Sequence, residues 1–284
     1  MQTKQRSMQF QASQAMKVDP VAVRLTILDM LYKGKASHLG SSMSAVEMLI
    51  AMFSSTDVAR IRARSPDRSR IIVSKGHCAA ATYATMFHFG IITKELIDTY
   101  HTDGSTLAGH VSHAVPGVEH STGALGHGIG VGVGCAIGLR SRGFHDALVL
   151  TLLGDGEIQE GSVWEALMLA VHHKLSNFVA LIDNNGISSI TNTEKVLDMR
   201  PLGARFSGFG LEVREVNGHD VEEIGSAIRE LSGGPGPGVI VCNTIKGKGV
   251  AFAEGNPIWH YRSLNEELYT EARASLISAS KGKC

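Results

Sequence analysis

The chain has 284 residues, 27 basic against 27 acidic side chains and 43% hydrophobic residues, enough to bury one large core or two modest ones. A net charge of +0 argues against nucleic acid or an anionic membrane surface as the main partner, since both select basic surfaces. No stretch is apolar enough to span a bilayer, the first residues lack the apolar centre of a signal peptide, and Cys78, Cys135, Cys242 and Cys284 never pair as CxxC. A cytoplasmic protein with reduced, mostly buried thiols and an exposed tail thiol at Cys284 is therefore expected.

After an N-terminal extension (1–19), "VAVRLTILDMLYKG" (21–34) has the spacing of an amphipathic helix stopped by glycine. "SAVEMLIAMFSS" (44–55) opens with an S-x-x-E capping box and predicts another helix. "RIIVS" (70–74) predicts a short buried strand, followed by an Ala-rich helix over 78–89. "GHGIGVGVG" (126–134) has G-x-G spacings, but no strand precedes it and no ribose-binding acid is suitably placed. A small-residue helix packed backbone to backbone against a neighbour is the better reading. Further strands are predicted at 147–153, 178–183, 211–216 and 238–244, with helical patterns between them. In the segment after the first of these, Val163, Leu167, Ala170 and Val171 share one helical stripe. "SLNEELYTEARASLISA" predicts a closing helix within a C-terminal segment, 263–284. The alternation implies an α/β fold: a mostly parallel sheet with helices on both faces.

Two neighbouring strands finish in small, oxygen-bearing residues: "GDGEIQEGSVWEA" (154–166) and "DNNGIS" (183–188). A β-α-β unit places both at one edge of the sheet, where open α/β sheets bind ligands. Gly154 and Gly156 let the backbone turn and approach a ligand, Asp155 offers a hard carboxylate, and Asn185 offers an amide oxygen. With a backbone carbonyl, this set is too small for an all-protein calcium cage. It suits Mg²⁺, which completes about six oxygens with water and substrate phosphates. A diphosphate-bearing ligand follows. A phosphatase with a GDG turn would want a D-x-D nucleophile after its first strand, and none is present. A non-catalytic binding module remains as an alternative.

The order "GH", "TGALGHG", "GDGEIQEGSVWEA", "DNNGIS", "KGKG" and "WH" resembles the N-terminal, diphosphate-binding half of transketolase. The resemblance covers roughly 20–262, which would form the diphosphate-binding domain. It implies thiamine diphosphate as cofactor, with Mg²⁺ (or Ca²⁺ or Mn²⁺) held by Asp155, Asn185 and the Ile187 carbonyl. Gly154 would border the diphosphate, the Gly156 amide would meet a phosphate oxygen, and Gly123 and Leu125 would line the cofactor rings. His38, His77, His110 and His260 match histidines that surround the thiazolium and the sugar, His77 and His260 on the cofactor side. Glu160 matches a glutamate at the subunit interface, and Lys246 could meet the diphosphate as a point charge. His101, His145, His172 and His173 match nothing and read as structural. In this family the carboxyl that activates the cofactor belongs to a second domain. The resemblance therefore implies one subunit of a split transketolase, with a pyrimidine-binding partner subunit in an α2β2 assembly. It would pass a two-carbon ketol unit from a ketose donor to an aldose or aldehyde acceptor. A deoxyxylulose-phosphate-synthase-like or 2-oxoacid-dehydrogenase-like enzyme would share GDG and NN but lack the histidine set. Ser37 and His127 depart from the family pattern and leave the sugar open.

Overall fold

The structure, a computed structural model, describes residues 17–281. The tail thiol Cys284 and residues 1–16 of the N-terminal extension lie outside the described residues. Five strands form one sheet: β1 (Arg70–Val73), β2 (Val149–Gly154), β3 (Phe178–Asn184), β4 (Glu212–Asn217) and β5 (Gly238–Asn243). Their order is β1-β2-β3-β5-β4, and every pairing is parallel. The helices, in chain order, are α1 (Pro20–Lys33), α2 (Leu39–Ser44), α3 (Val46–Ser54), α4 (Val58–Arg62), α5 (Ala79–His88), α6 (Lys94–Ile97), α7 (Gly128–Ser141), α8 (Gly161–His172), α9 (Thr193–Val196), α10 (Leu202–Gly208), α11 (Val221–Ser232) and α12 (Glu266–Lys281). None of the described helices is long and apolar enough to cross a membrane.

The central strands are apolar on both faces, as a sheet covered on both sides requires. Leu150, Leu152, Val179 and Leu181 join the apolar cluster of α1, α3 and α5. Val149, Leu153, Phe178, Ala180 and Ile182 join that of α7 and α8, with Val163, Leu167 and Ala170 opposite and Val171 packed beside them. α7 lies as close to the sheet as its glycines allow. A Cβ on Gly132 would stand 2.4 Å from Thr151 Oγ1, and one on Gly128 would stand 2.7 Å from Ser74 Cα. Gly130, Gly134 and Gly138 face away and would meet nothing within 4 Å. The final helix folds back on the first: Tyr269 stacks on Tyr32 with ring centroids 4.3 Å apart.

The segment 44–55 departs from expectation. It is the end of α2 followed by α3, whose N-cap is Ala45 with no side-chain cap. Ser44 instead donates to the Asp183 carboxylate at 2.6 Å, and Glu47 receives the Arg24 guanidinium at 2.7 and 2.9 Å. A capping box competes well at a solvated helix start. Here both side chains are buried, and charged partners across the core outbid the local amides.

Candidate active site

Because all five strands run the same way, their C-terminal ends share one edge. The register sets Gly154 opposite Asp183, and Asn184 and Asn217 opposite Asn243. That edge therefore collects Lys75 and His77 after β1, Asp155 and Glu157 after β2, Asn185 after β3, His219 after β4, and Thr244 and Lys246 after β5.

Beneath it lies a buried charge cluster. The Asp183 carboxylate is fully buried and takes hydrogen bonds from Lys75, Ser44 and Thr244. Burial alone would lower the Lys75 pKa, but Asp183 outweighs it and holds the ammonium above its ordinary value. Among the described residues Asp155 has no cation paired with it, and the Lys75 charge offsets only part of its burial. Burial, and then the Asp183 charge, push its carboxyl up to about 7, although it accepts from the amides of Gly156 at 2.8 Å and Gly186 at 2.5 Å. A bound cation would favour its ionised form.

Asp155, Asn185 and Ile187 line one cavity of about 520 Å³. Among the described residues no three His, Cys, Asp or Glu side chains form a metal cage. The candidate donors are one carboxylate, one amide and one carbonyl, which leaves positions for water and phosphate oxygens. The flanking glycines lack the backbone reason that the sequence suggests for them. Neither Gly154 nor Gly156 has a positive φ, so the turn itself does not demand them. Gly154 is buried, yet a Cβ there would meet nothing within 4 Å, and one on Gly156 would touch Ser188 at an ordinary 3.6 Å. Neither position is therefore closed to a side chain by its neighbours. Lys246, only 2% exposed, donates to the carbonyls of Ile187 at 3.0 Å and Ser188 at 2.7 Å. Burial and the Lys75 charge lower its pKa to about 8.

The four singled-out histidines meet, though they come from four separate segments. His38 is 5.7, 5.3 and 5.1 Å from the rings of His77, His110 and His260, and His77 is 5.1 Å from His260. His38 adopts a left-handed φ of 71°, which costs a non-glycine residue about 1–2 kcal/mol. Its amide is fixed by the His260 carbonyl at 3.0 Å. Burial, with neighbouring His110 and Lys246, lowers the His38 pKa to about 4. Burial and Lys246 lower His260 to about 3. His77 is held well below its ordinary value by burial and Lys75, and His110 is lowered by burial. All four are neutral at pH 7, each with one N–H donor and one acceptor.

Gly123 sits over His110, where a Cβ would stand 3.4 Å from Cδ2, and Leu125 is half-buried in the same loop. Glu160 is exposed before α8 and makes no side-chain cap. Its neighbour Glu157 is buried, and no local motif marks it. Glu157 accepts from Ser74, from the Gly126 amide at 2.9 Å and from the Gly154 amide at 3.1 Å. It thereby ties the histidine-bearing loops to the GDG turn. Gly76 is indispensable in that arrangement, since a Cβ would stand 2.5 Å from the Thr122 carbonyl oxygen. Gly76→Ala should cost about 1–3 kcal/mol of stability, read as a lower urea midpoint with an unchanged m-value; an unchanged midpoint would show that the loop yields freely.

The family description "Transketolase, thiamine diphosphate binding domain" matches residues 16–279. The chain is 38% identical over 253 residues to an apulose-4-phosphate transketolase subunit of Phocaeicola vulgatus, covering 88% of this chain and 89% of that one. It is 34% identical over 257 residues to a 6-deoxy-6-sulfo-D-fructose transketolase subunit of Clostridium sp., covering 89% and 93%. The crystal structure of transketolase from Campylobacter jejuni superimposes with a TM-score of 0.82 at 28% identity, over 93% of this chain but 43% of that chain. The parallel sheet, the oxygen donors on adjacent strand ends and these matches agree: the chain belongs to the transketolase family, as its thiamine diphosphate binding domain.

Proposed function

We propose that this chain is the thiamine-diphosphate-binding subunit of a two-subunit, cytoplasmic transketolase. It transfers a two-carbon ketol unit from a ketose donor to an aldose or aldehyde acceptor. The observation that carries the reading is the meeting of four histidines next to Lys246, which lies beside His260 and donates to the Ile187 carbonyl, on the cavity shared by Ile187, Asp155 and Asn185. The relatives named as single subunits of transketolases, matched over most of their length, support it. Residues 20–262 make up the diphosphate-binding domain, with 1–19 an extension and 263–284 a closing helix and tail.

Thiamine diphosphate supplies the electron sink for cleaving the bond beside the ketose carbonyl. This chain binds and orients. Asp155, Asn185 and the Ile187 carbonyl would hold Mg²⁺ for the diphosphate; the Lys246 ammonium would offset phosphate charge beside Gly154, and the Gly156 amide, which donates to Asp155 in the ligand-free chain, would turn to a phosphate oxygen on binding. Gly123 and Leu125 border the rings. His77 and His260 flank the cofactor, while His38 and His110 face the sugar and pair its hydroxyls through one donor and one acceptor each. Glu160, exposed at the start of α8, faces the partner subunit in an α2β2 assembly.

The test is two-carbon transfer to an aldehyde acceptor by this chain with its partner subunit, over a panel of phosphorylated and sulfonated ketoses. Product from at least one donor is expected; none from any would reject the reading. His38→Ala and His110→Ala should each lower turnover by about 10²-fold or more while leaving thiamine-diphosphate affinity largely intact. Parallel loss of affinity and turnover would show that the ring in question holds the cofactor instead.

A further inference from the structure

Three buried or half-buried side chains outside the candidate cavity form one connected network. Arg24 and Glu47 are 5% and 4% exposed. Arg24 donates to both oxygens of Glu47, at 2.7 and 2.9 Å, and its Nε reaches the Lys248 carbonyl at 3.1 Å. On the other side, His219 Nδ1 lies 3.2 Å from Glu47 Oε2, and His219 Nε2 accepts the Ile245 amide at 2.9 Å. A backbone amide can only donate, so Nε2 is unprotonated and Nδ1–H faces the carboxylate. The ring is thereby fixed in both tautomer and orientation.

The two arms of this network land on residues 245 and 248, on either side of Lys246. Within that turn the Gly247 amide donates to the Gly40 carbonyl at 3.0 Å, and the Lys246 carbonyl accepts from the Gly255 amide at 2.9 Å. The Lys246 stem then runs beside Gly40, where a Cβ would stand 3.1 Å from Lys246 Cγ. The strand end that presents His219 is equally constrained. A Cβ on Gly218 would stand 2.3 Å from Thr244 Cγ2, so β4 must deliver its histidine hard against the β5 turn.

We propose that Arg24, Glu47 and His219 are positioning residues: a clamp, joined through one carboxylate, that grips both ends of the 245–248 turn and so sets where the Lys246 ammonium meets the diphosphate. Touching neither cavity nor histidine cluster, they govern cofactor affinity through Lys246. The inference rests on the reading of Lys246 as a diphosphate ligand.

The test uses the full chain together with its partner subunit, which meets the cofactor's pyrimidine, and two readouts. The first is the dissociation constant of Mg²⁺-thiamine diphosphate in wild type, His219→Leu, Lys246→Met and the double variant. His219→Leu should weaken binding about tenfold or more, the scale on which residues supporting a ligand act. The double variant should bind no worse than Lys246→Met alone, since a residue that acts through another adds nothing once that one is gone. The second readout is hydrogen exchange, which needs no ligand. The Ile245 amide should exchange faster in His219→Leu while Val239–Cys242 in β5 stay protected. His219→Gln, whose amide oxygen can still accept from Ile245, should restore both. Additive losses in the double variant, an unchanged Ile245 amide, or a glutamine as damaging as leucine would each overturn the clamp. If wild type itself binds no Mg²⁺-thiamine diphosphate, the functional reading falls, and exchange at Ile245 still decides whether the clamp exists.

Discussion

Asp155→Asn is expected to lose Mg²⁺-dependent thiamine-diphosphate binding by more than the roughly 10–100-fold that removal of a supporting residue costs. The variant should also remove a stability penalty from the ligand-free chain. Asp155 is the one carboxylate in the candidate donor set, and the amide and carbonyl oxygens left behind are neutral. They cannot offset the dehydration of so strongly hydrated an ion. Asn185→Ala should weaken binding less, since water can replace a neutral oxygen. The stability effect follows from linkage. The Asp155 carboxyl is raised from 3.8 to about 7 in the folded chain, so between those values the native state binds more protons than the unfolded state. Stability contributed by this group is full below 3.8 and falls as pH rises through 7, by a few kcal/mol (about 4 at most). The asparagine variant has no such term, and the histidines titrate alike in both proteins. Its stability relative to wild type should therefore climb between pH 4 and pH 7 and then level off. Saturating Mg²⁺ and cofactor should reverse the order, because only wild type gains binding energy. Chemical denaturation across pH, with and without ligand, measures both. Equal cofactor affinity in variant and wild type would remove Asp155 from the site.

What could be read along the chain is what local pattern encodes. The apolar runs of β2 and β3, bounded by glycine and asparagine, announce buried parallel strands, and their ends mark Asp155 and Asn185 as candidate oxygen donors. The histidines emerged by the motifs around them, and the structure brings His38, His77, His110 and His260 together. Long-range polar pairing left no such trace. Lys75 and Asp183 are 108 residues apart, Ser74 and Glu157 83, and Glu47 and His219 172; nothing periodic links them. The same blindness explains Ser44 and Glu47, whose spacing imitates a local cap while their partners lie across the core. In GDG the glycines were legible as a motif, but the reason for them was not. Neither a positive φ nor a close neighbour requires them in the folded chain.

The purified chain alone should show no two-carbon transfer, and addition of its partner subunit should restore it. Thiamine-diphosphate chemistry in this family needs a carboxyl beside the cofactor's pyrimidine. Four carboxyls are buried among the described residues, Glu47, Asp155, Glu157 and Asp183, and each is already committed. Glu47 holds Arg24 and His219. Asp155 accepts from the Gly156 and Gly186 amides in the candidate metal site. Glu157 ties Ser74 to the Gly126 and Gly154 amides, and Asp183 is paired with Lys75. Diverting any of them would leave buried donors or a buried cation without a partner, at about 1–3 kcal/mol or more. The surface beside the histidines argues the same way. Ile190, Ile258 and Tyr261 are 74%, 52% and 62% exposed and share one groove with Arg262. Such an apolar rim suits a protein neighbour, and covering it would exclude water from His260 and the sugar, strengthening every hydrogen bond made there. Sedimentation of the reconstituted enzyme should give two copies of each chain. Activity should rise with added partner to a plateau at a one-to-one ratio of chains, from a baseline indistinguishable from cofactor in buffer. Sustained turnover by this chain alone would mean that one of its own carboxyls does serve the pyrimidine, and the two-subunit reading would fall.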